Sequence, residues 1–226
     1  MAKKISIAID GPAGAGKSTI ARRLAKELGY YYVDTGAIYR TVAYFMDLLD
    51  ISPKDVDGVS RYIDELTVEI EYDEDGLQHM IMNGMDVTGD IRTQDISQKA
   101  SLISAHAVVR DMLLDMQRDV AKKHNVIMDG RDIGTVVLPR ANVKIFLTAS
   151  AEVRAQRRYA ELQAKGGKDS FEKVLSDIKL RDHQDSTREI APLKQAKDAV
   201  LVDTSEMDVE TVIDTIRKIV ADKVAK

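Results

Sequence analysis

The sequence predicts an α/β fold: a parallel sheet flanked by helices, with a small antiparallel sheet inserted part-way along the chain. Three observations point there. Short apolar, β-branched runs alternate with stretches repeating at helical spacing, the order that builds a parallel sheet covered on both faces. A glycine-rich stretch, Gly11-Pro12-Ala13-Gly14-Ala15-Gly16-Lys17-Ser18, joins the first such run to the first helix. From Thr67 the texture changes to period-two alternation broken by turn signals, which suits a half-exposed antiparallel sheet.

The first strand is read over Lys4–Ile9, and the first helix follows from Ile20, Ala21, Leu24, Ala25 and Leu28, with Gly29 as its stop. Between them the glycine stretch matches G-x-x-x-x-G-K-[ST] at every fixed position, in the strand–loop–helix setting that its chemistry requires. Gly14 and Gly16 let backbone N–H groups curl around phosphate oxygens in front of a helix N-terminus. Lys17 is placed to reach the β and γ phosphates, and the Ser18 hydroxyl to ligate magnesium. The bland alternative, a glycine-rich turn with a surface lysine, does not account for the agreement between motif and flanks. The chain is expected to bind a nucleoside triphosphate.

Tyr30–Val33 reads as a second strand ending at Asp34-Thr35-Gly36, and Ala37 to about Leu49 as a helix with Tyr39 and Arg40 in its first turns. Ser52 as N-cap and Pro53 at the first helical position predict another helix there. Thr67–Tyr72 and Leu77–Met82 are strands around the turn Asp73-Glu74-Asp75-Gly76, and Asn83-Gly84 leads by a hairpin into Met85-Asp86-Val87. Residues 63–102 are read as an insert in a core formed by 1–62 and 103–226. Helices are expected over Thr93–Ile103 and Val108–His124, strands over Val126–Met128 and Val143–Leu147, and a Ser150-capped helix to about Ala164. Gly166-Gly167 breaks that helix; Ser170–Arg188 forms another, Ala199–Val202 a last strand and Val209–Lys223 a closing amphipathic helix.

Composition excludes several classes. With 33 basic and 37 acidic residues the formal charge is −4, so no global field draws the chain to nucleic acid or a membrane surface. There is no cysteine, hence no disulfide framework or thiolate metal site. No apolar run approaches the roughly 20 residues of a spanning helix. Lys3-Lys4 runs straight into a strand, leaving no room for a signal peptide. A cytoplasmic protein is expected, and a monomer, since no exposed apolar stripe demands a partner.

In parallel sheets ligands bind at the carboxyl ends of the strands. Three polar clusters fall there: Asp34 and Thr35 with Arg40; Asp129 with Arg131 and Asp132; and Arg181, Asp185 and Arg188, spaced four and three apart on one helix face. Arginine forks suit a second phosphate site opposite the triphosphate, with carboxylates to hold them. For the third cluster a solvated ion-pair face is an equal alternative. Arg154, Arg157 and Arg158 before the glycine break read either as a flap closing on the triphosphate or as an exposed helix beside a flexible turn. The four histidines lack metal-ligand spacing.

The motifs resemble those of the bacterial cytidylate kinases. The resemblance runs through Gly11–Thr19, Asp34-Thr35-Gly36-Ala37-Ile38-Tyr39-Arg40, Gly89-Asp90-Ile91-Arg92-Thr93, Asp129-Gly130-Arg131-Asp132-Ile133-Gly134-Thr135-Val136-Val137, Val143–Leu147, Arg181-Asp182 and Ile190-Ala191-Pro192-Leu193, in order over nearly the whole chain. It implies a phosphate-loop core, an insert that binds a nucleoside monophosphate and a short helical lid at about 152–170. It also implies γ-phosphoryl transfer from ATP to CMP or dCMP with Mg2+. Carried over, Gly11, Pro12, Ala13, Gly14, Ala15, Gly16, Lys17, Ser18 and Thr19 cradle ATP, with Arg157 and Arg158 as further ATP-binding residues. Ser101, Arg110 and Asp132 read the cytosine edge; Arg40, Arg131 and Arg188 hold phosphate; Arg181 and Asp185 address the sugar; Thr35 and Asp129 complete the monophosphate site. Lys17, Arg131, Arg181 and Arg188 are the catalytic cations of this reading. The family often carries serine where Thr35 stands; threonine keeps the hydroxyl and adds a methyl. A kinase of shikimate or of another monophosphate is the nearest rival. A GTP-dependent switch would need an N-K-x-D segment, which the chain lacks.

Overall fold

The computed structural model describes residues 4–224, so Lys3 of the leading lysine pair lies outside it. In chain order the elements are β1 (Ser6–Asp10), α1 (Lys17–Leu28), β2 (Tyr31–Asp34), α2 (Thr35–Leu48), α3 (Val56–Tyr62), β3 (Val68–Tyr72), β4 (Gln78–Met82) and β5 (Met85–Asp86). Then come α4 (Gln94–Ile103), α5 (Ala107–Lys123), β6 (Val126–Gly130), β7 (Val143–Thr148), α6 (Ala151–Ala164), α7 (Phe171–Thr187), β8 (Val200–Asp203) and α8 (Val209–Val224). Five strands form a parallel sheet in the order β2-β6-β1-β7-β8, and β3-β4-β5 form a separate antiparallel sheet.

The sheet is apolar on both faces, as buried parallel strands must be. Ile7 and Ile9 of β1 pack with Ile20, Leu24, Ile213 and Ile216 from α1 and α8. Ala8, between them, faces the opposite cluster with Ile38, Val42 and Met46 of α2 and Val109 and Leu113 of α5. Met80 and Met82 of the antiparallel sheet join that second cluster, so the small sheet is seated on the core by apolar burial. Its last hairpin turns at Asn83 (φ 48°) and Gly84 (φ 81°), the left-handed pair of a type I′ turn.

The element types match the sequence reading; two helix starts do not. α2 begins at Thr35 instead of Ala37, because the Asp34 side chain accepts the Ala37 N–H at 2.8 Å and caps the helix directly off the strand. Ser52-Pro53 does not open a helix: the Asp55 N–H closes a turn on the Ser52 carbonyl, and Asp55 is the N-cap, accepting from the Gly58 N–H at 3.0 Å. Arg188 ends α7 in an extended conformation (φ −61°, ψ 143°), so it leaves the helix face it shares in sequence with Arg181 and Asp185. A single π-helical turn, Ile133–Val137, follows β6 and has no sequence counterpart.

Candidate active site

Strand register sets up the site. Asp34 lies beside Asp129, and Asp10 beside Gly130, so three acidic side chains stand at the carboxyl edge of β2, β6 and β1. A single cleft of about 1020 Å3 opens over that edge, large enough for two small ligands.

The phosphate loop forms one end. Gly11 (φ 150°) is required by close approach, since a Cβ there would sit 1.9 Å from the Leu147 carbonyl oxygen. Gly16 (φ 86°) is the N-cap of α1 without any side-chain cap, which leaves the first N–H groups of the helix available to an anion. Ala13 through Thr19 line the cleft, whereas Gly11 and Pro12 lie behind the lining. The Lys17 ammonium donates to the Pro12 carbonyl at 2.7 Å. Burial, followed by the Arg131 charge, lowers its pKa to about 7. The Ser18 hydroxyl donates to one Asp129 oxygen at 2.7 Å and the Tyr32 hydroxyl to the other at 3.2 Å. Burial, reinforced by Asp34, raises Asp129 to about 6.

Beyond the loop, Arg157, Arg158, Thr204, Met207 and Val209 line the same end of the cleft. Arg157 donates to the Thr204 hydroxyl (3.1 Å) and carbonyl (2.8 Å). Arg154 has neither of its two expected roles. It is buried, binds Asp182 of α7 with both terminal nitrogens at 2.9 and 2.6 Å, and donates to the Ala13 carbonyl at 3.1 Å. It fastens α6 to α7 and to the phosphate loop.

At the other end, two carboxylates organise the arginines. Asp185 accepts from Ser101 Oγ at 3.0 Å and Arg131 Nε at 2.8 Å, with Arg181 Nε 3.9 Å away. Burial acts to raise Asp185, but Arg131 and Arg181 outweigh it and hold the group below its ordinary value. Arg181, crowded by burial and by Arg131, drops to about 10, and among the described residues its Nε has no hydrogen-bond partner. Asp132 pairs with Arg110 on one side and with Arg188 Nη2 at 3.4 Å on the other; Arg188 also donates to Ser104 Oγ at 2.9 Å. Burial raises Asp132 despite both guanidinium groups. Asp132 is fixed from behind, because Asp10 accepts the N–H groups of Ile133 and Gly134, each at 2.7 Å. Arg40 donates to Asp34 at 3.0 Å, and its Nε is buried without a hydrogen-bond partner among the described residues. The Thr35 hydroxyl donates to the Asp129 carbonyl at 2.7 Å.

All three polar clusters therefore converge on one cleft with the phosphate loop. The third is not a solvated ion-pair face: Asp185 is 3% exposed. Sequence reading missed Asp10, Tyr32, Ser97 and Ser104. Ser97 and Ser101 of α4 and Ser104 at its C-cap recur at spacings of four and three and all line the cleft, a polar stripe readable from the spacing. Asp10 and Tyr32 carry no such signal, since each looks like an ordinary strand residue. None of the four histidines lines the cleft. Among the described residues no group of three or more His, Cys, Asp or Glu could hold a metal alone, and no helix is long and apolar enough to cross a membrane.

A parallel sheet with a phosphate loop after its central strand, a carboxylate on the neighbouring strand and an arginine-rich pocket facing both defines a phosphate-loop kinase. The sequence model described as Cytidylate kinase matches residues 7–222, and the chain belongs to the cytidylate kinase family. It is 48% identical over 217 residues to the cytidylate kinase of Carboxydothermus hydrogenoformans, covering 96% of this chain and 97% of that protein. It is 46% identical over 220 residues to that of Exiguobacterium sp., covering 97% and 98%. Among solved structures, an uncharacterized protein from Eubacterium ventriosum shares the fold with a TM-score of 0.53 and 16% identity, covering 97% of this chain and 99% of that one.

Proposed function

We propose that the protein transfers the γ-phosphoryl group of ATP directly to CMP or dCMP, giving ADP and CDP or dCDP. The observation that carries this reading is the continuity of one cleft between the phosphate loop and the Asp132–Arg110–Arg188 and Asp185–Arg131–Arg181 clusters. The family supplies the donor and the class of acceptor; the residue roles are argued from their chemistry.

At the donor end the free N–H groups of α1 and the Lys17 ammonium hold the β and γ phosphates. Thr204, Met207 and Val209 form the wall on which the adenine lies, beside Arg157 and Arg158. Lys17 resting on the Pro12 carbonyl is a stored donor: a phosphate that displaces this contact supplies the negative charge that burial denies it.

Magnesium fits the donor set here. Ser18 Oγ and Asp129 Oδ2 are hard oxygen donors 2.7 Å apart, and Mg2+ characteristically takes only one or two protein ligands beside water and phosphate oxygens. Ser18 and Asp129 would hold it, and the bound ion would offset charge on the transferred group. Tyr32 keeps Asp129 oriented toward Ser18.

At the acceptor end, a cytosine edge presents an amine donor and a ring-nitrogen acceptor. Asp132 accepts from the amine, and Arg110 and Ser101 supply donors to the ring. Uracil would set a carbonyl oxygen against the Asp132 carboxylate, acceptor against acceptor, so the site rejects it. Arg40 and Arg131 hold the acceptor phosphate. Arg188, bonded to Asp132 and Ser104, spans the phosphate and base ends, and Asp185 with Arg181 addresses the sugar. The cations spread over the moving group's charge, and no side chain forms a covalent bond.

In this reading residues 63–102 wall the monophosphate, and the part of 152–170 beyond the buried Arg154 closes over the donor, excluding water. The enzyme works as a cytoplasmic monomer. The test is ADP release with ATP and Mg2+ while CMP, dCMP, UMP, AMP, GMP and shikimate are offered in parallel. Turnover confined to CMP and dCMP is expected; preference for another acceptor would discard the base-reading assignment.

A further inference from the structure

β2 is an edge strand of the parallel sheet, so the outer row of its backbone N–H and C=O groups lacks a neighbouring strand. Two side chains of the antiparallel sheet take that neighbour's place. The Tyr72 hydroxyl donates to the Tyr32 carbonyl at 3.0 Å. The Gln78 carboxamide engages both backbone groups of Asp34: its oxygen accepts the Asp34 N–H at 2.7 Å, and its Nε2 donates to the Asp34 carbonyl at 3.3 Å. Tyr72 and Gln78 sit directly opposite each other in the β3–β4 register, so one cross-strand pair docks the small sheet on the edge of the large one.

We propose that Gln78 is a positioning residue for the acceptor phosphate: its carboxamide clamps the Asp34 backbone and thereby sets Arg40. Asp34 is where the chain changes from strand to helix (φ −81°, ψ 92°). One of its side-chain oxygens caps α2 through the Ala37 N–H at 2.8 Å, and the other holds Arg40 at 3.0 Å. Arg40 lines the cleft and keeps its Nε for a ligand. Gln78 is itself buried, 9% exposed, does not line the cleft, and is steadied by a contact from Nε2 to Met80 Sδ at 3.0 Å. Its effect on substrate therefore passes through Asp34 and Arg40. Without the clamp the Asp34 backbone loses both outer hydrogen bonds, and the start of α2 rotates, carrying Arg40 of its second turn with it. Tyr72 shares the docking but bonds two residues earlier, clear of Asp34, which separates holding the small sheet from aiming Arg40.

The proposal rests on Arg40 as an acceptor-phosphate group. The experiment compares Gln78→Met, a similar volume without the polar ends, with Tyr72→Phe and the unaltered enzyme, varying ATP and CMP independently. Gln78→Met is expected to raise KM for CMP by about ten-fold, the value of one lost clamp, while KM for ATP and kcat at saturating CMP stay within about two-fold. Tyr72→Phe is expected to lower Tm while leaving KM for CMP within about two-fold. An equal rise in both KM values, no rise, or the same rise in Tyr72→Phe would overturn the proposal. Amide exchange at Ala37 decides it independently of turnover. Faster exchange in Gln78→Met than in Tyr72→Phe is expected, and equal exchange would refute the clamp even if CMP proved to be the wrong acceptor.

Discussion

Binding of the triphosphate should draw a proton from solution at pH 8, and Lys17 should be the group that takes it. In the free protein its Nζ is buried against the Pro12 carbonyl, with a pKa lowered to about 7 by burial and then by Arg131. At pH 8 such a group is only ~10% protonated; a triphosphate that restores a pKa of ~10 makes it ~99% protonated, an uptake of ~0.9 proton. The other perturbed groups stay silent at this pH: Asp10 and Asp129, each raised to about 6, are already ionised, and Arg181, lowered to about 10, is already charged. The assay is titration calorimetry with Mg–ATP in two buffers of different ionisation enthalpy. The dependence of observed heat on buffer heat should give nearly one proton for the enzyme and none for Lys17→Met. The same burial affects the free fold. A folded pKa below the unfolded value of 10.5 means that the unfolded chain binds more protons between about pH 7 and 10.5, so stability should rise with pH across that window and Lys17→Met should flatten the rise. Proton uptake near zero in the enzyme, or equal uptake in Lys17→Met, would refute the reasoning.

Two further predictions concern a carboxylate in the acceptor site and one behind it. Asp132→Ala should cost about 3–5 kcal/mol in urea unfolding, because it leaves Arg110 and Arg188 buried without their shared partner; a loss under about 1 kcal/mol would contradict the pairing. Asp10 has a folded pKa near 6 against 3.8 unfolded, because burial outweighs its two backbone N–H bonds. The folded state therefore holds the extra proton between these values, and stability should fall as pH rises from about 4 through 6. Asp10→Asn should make that fall shallower, while an unchanged slope in denaturant titrations would exclude Asp10 as a source.

The donor half of the site was legible because its groups are contiguous: eight residues fix the loop, and the adjoining strand and helix follow from periodicity. The acceptor half comes from β2, α2, β6, α4, α5 and α7, so sequence could name its clusters but not their pairing. Arg131 bonds Asp185 across 54 positions, and Arg110 reaches Asp132 from another element. Arg154 was misread for the same reason. Its partner Asp182 lies on a different helix, and nothing in the spacing of Arg154, Arg157 and Arg158 says which one turns inward. Ser52-Pro53 illustrates local competition: two capping residues lie three apart, and the later one, Asp55, reaches a free N–H. Gln78 was silent because its partner is the backbone of an edge strand, which no side-chain pattern reveals.

Direct transfer between the two halves of one cleft is the central proposal. The most direct measurement follows ATP made chiral at its γ-phosphorus as it reacts with CMP, reading the product by 31P NMR. Direct in-line transfer predicts CDP with inverted configuration at the transferred phosphorus. Retention, which requires a covalent phosphoryl-enzyme, or a labelled product other than CDP would contradict it.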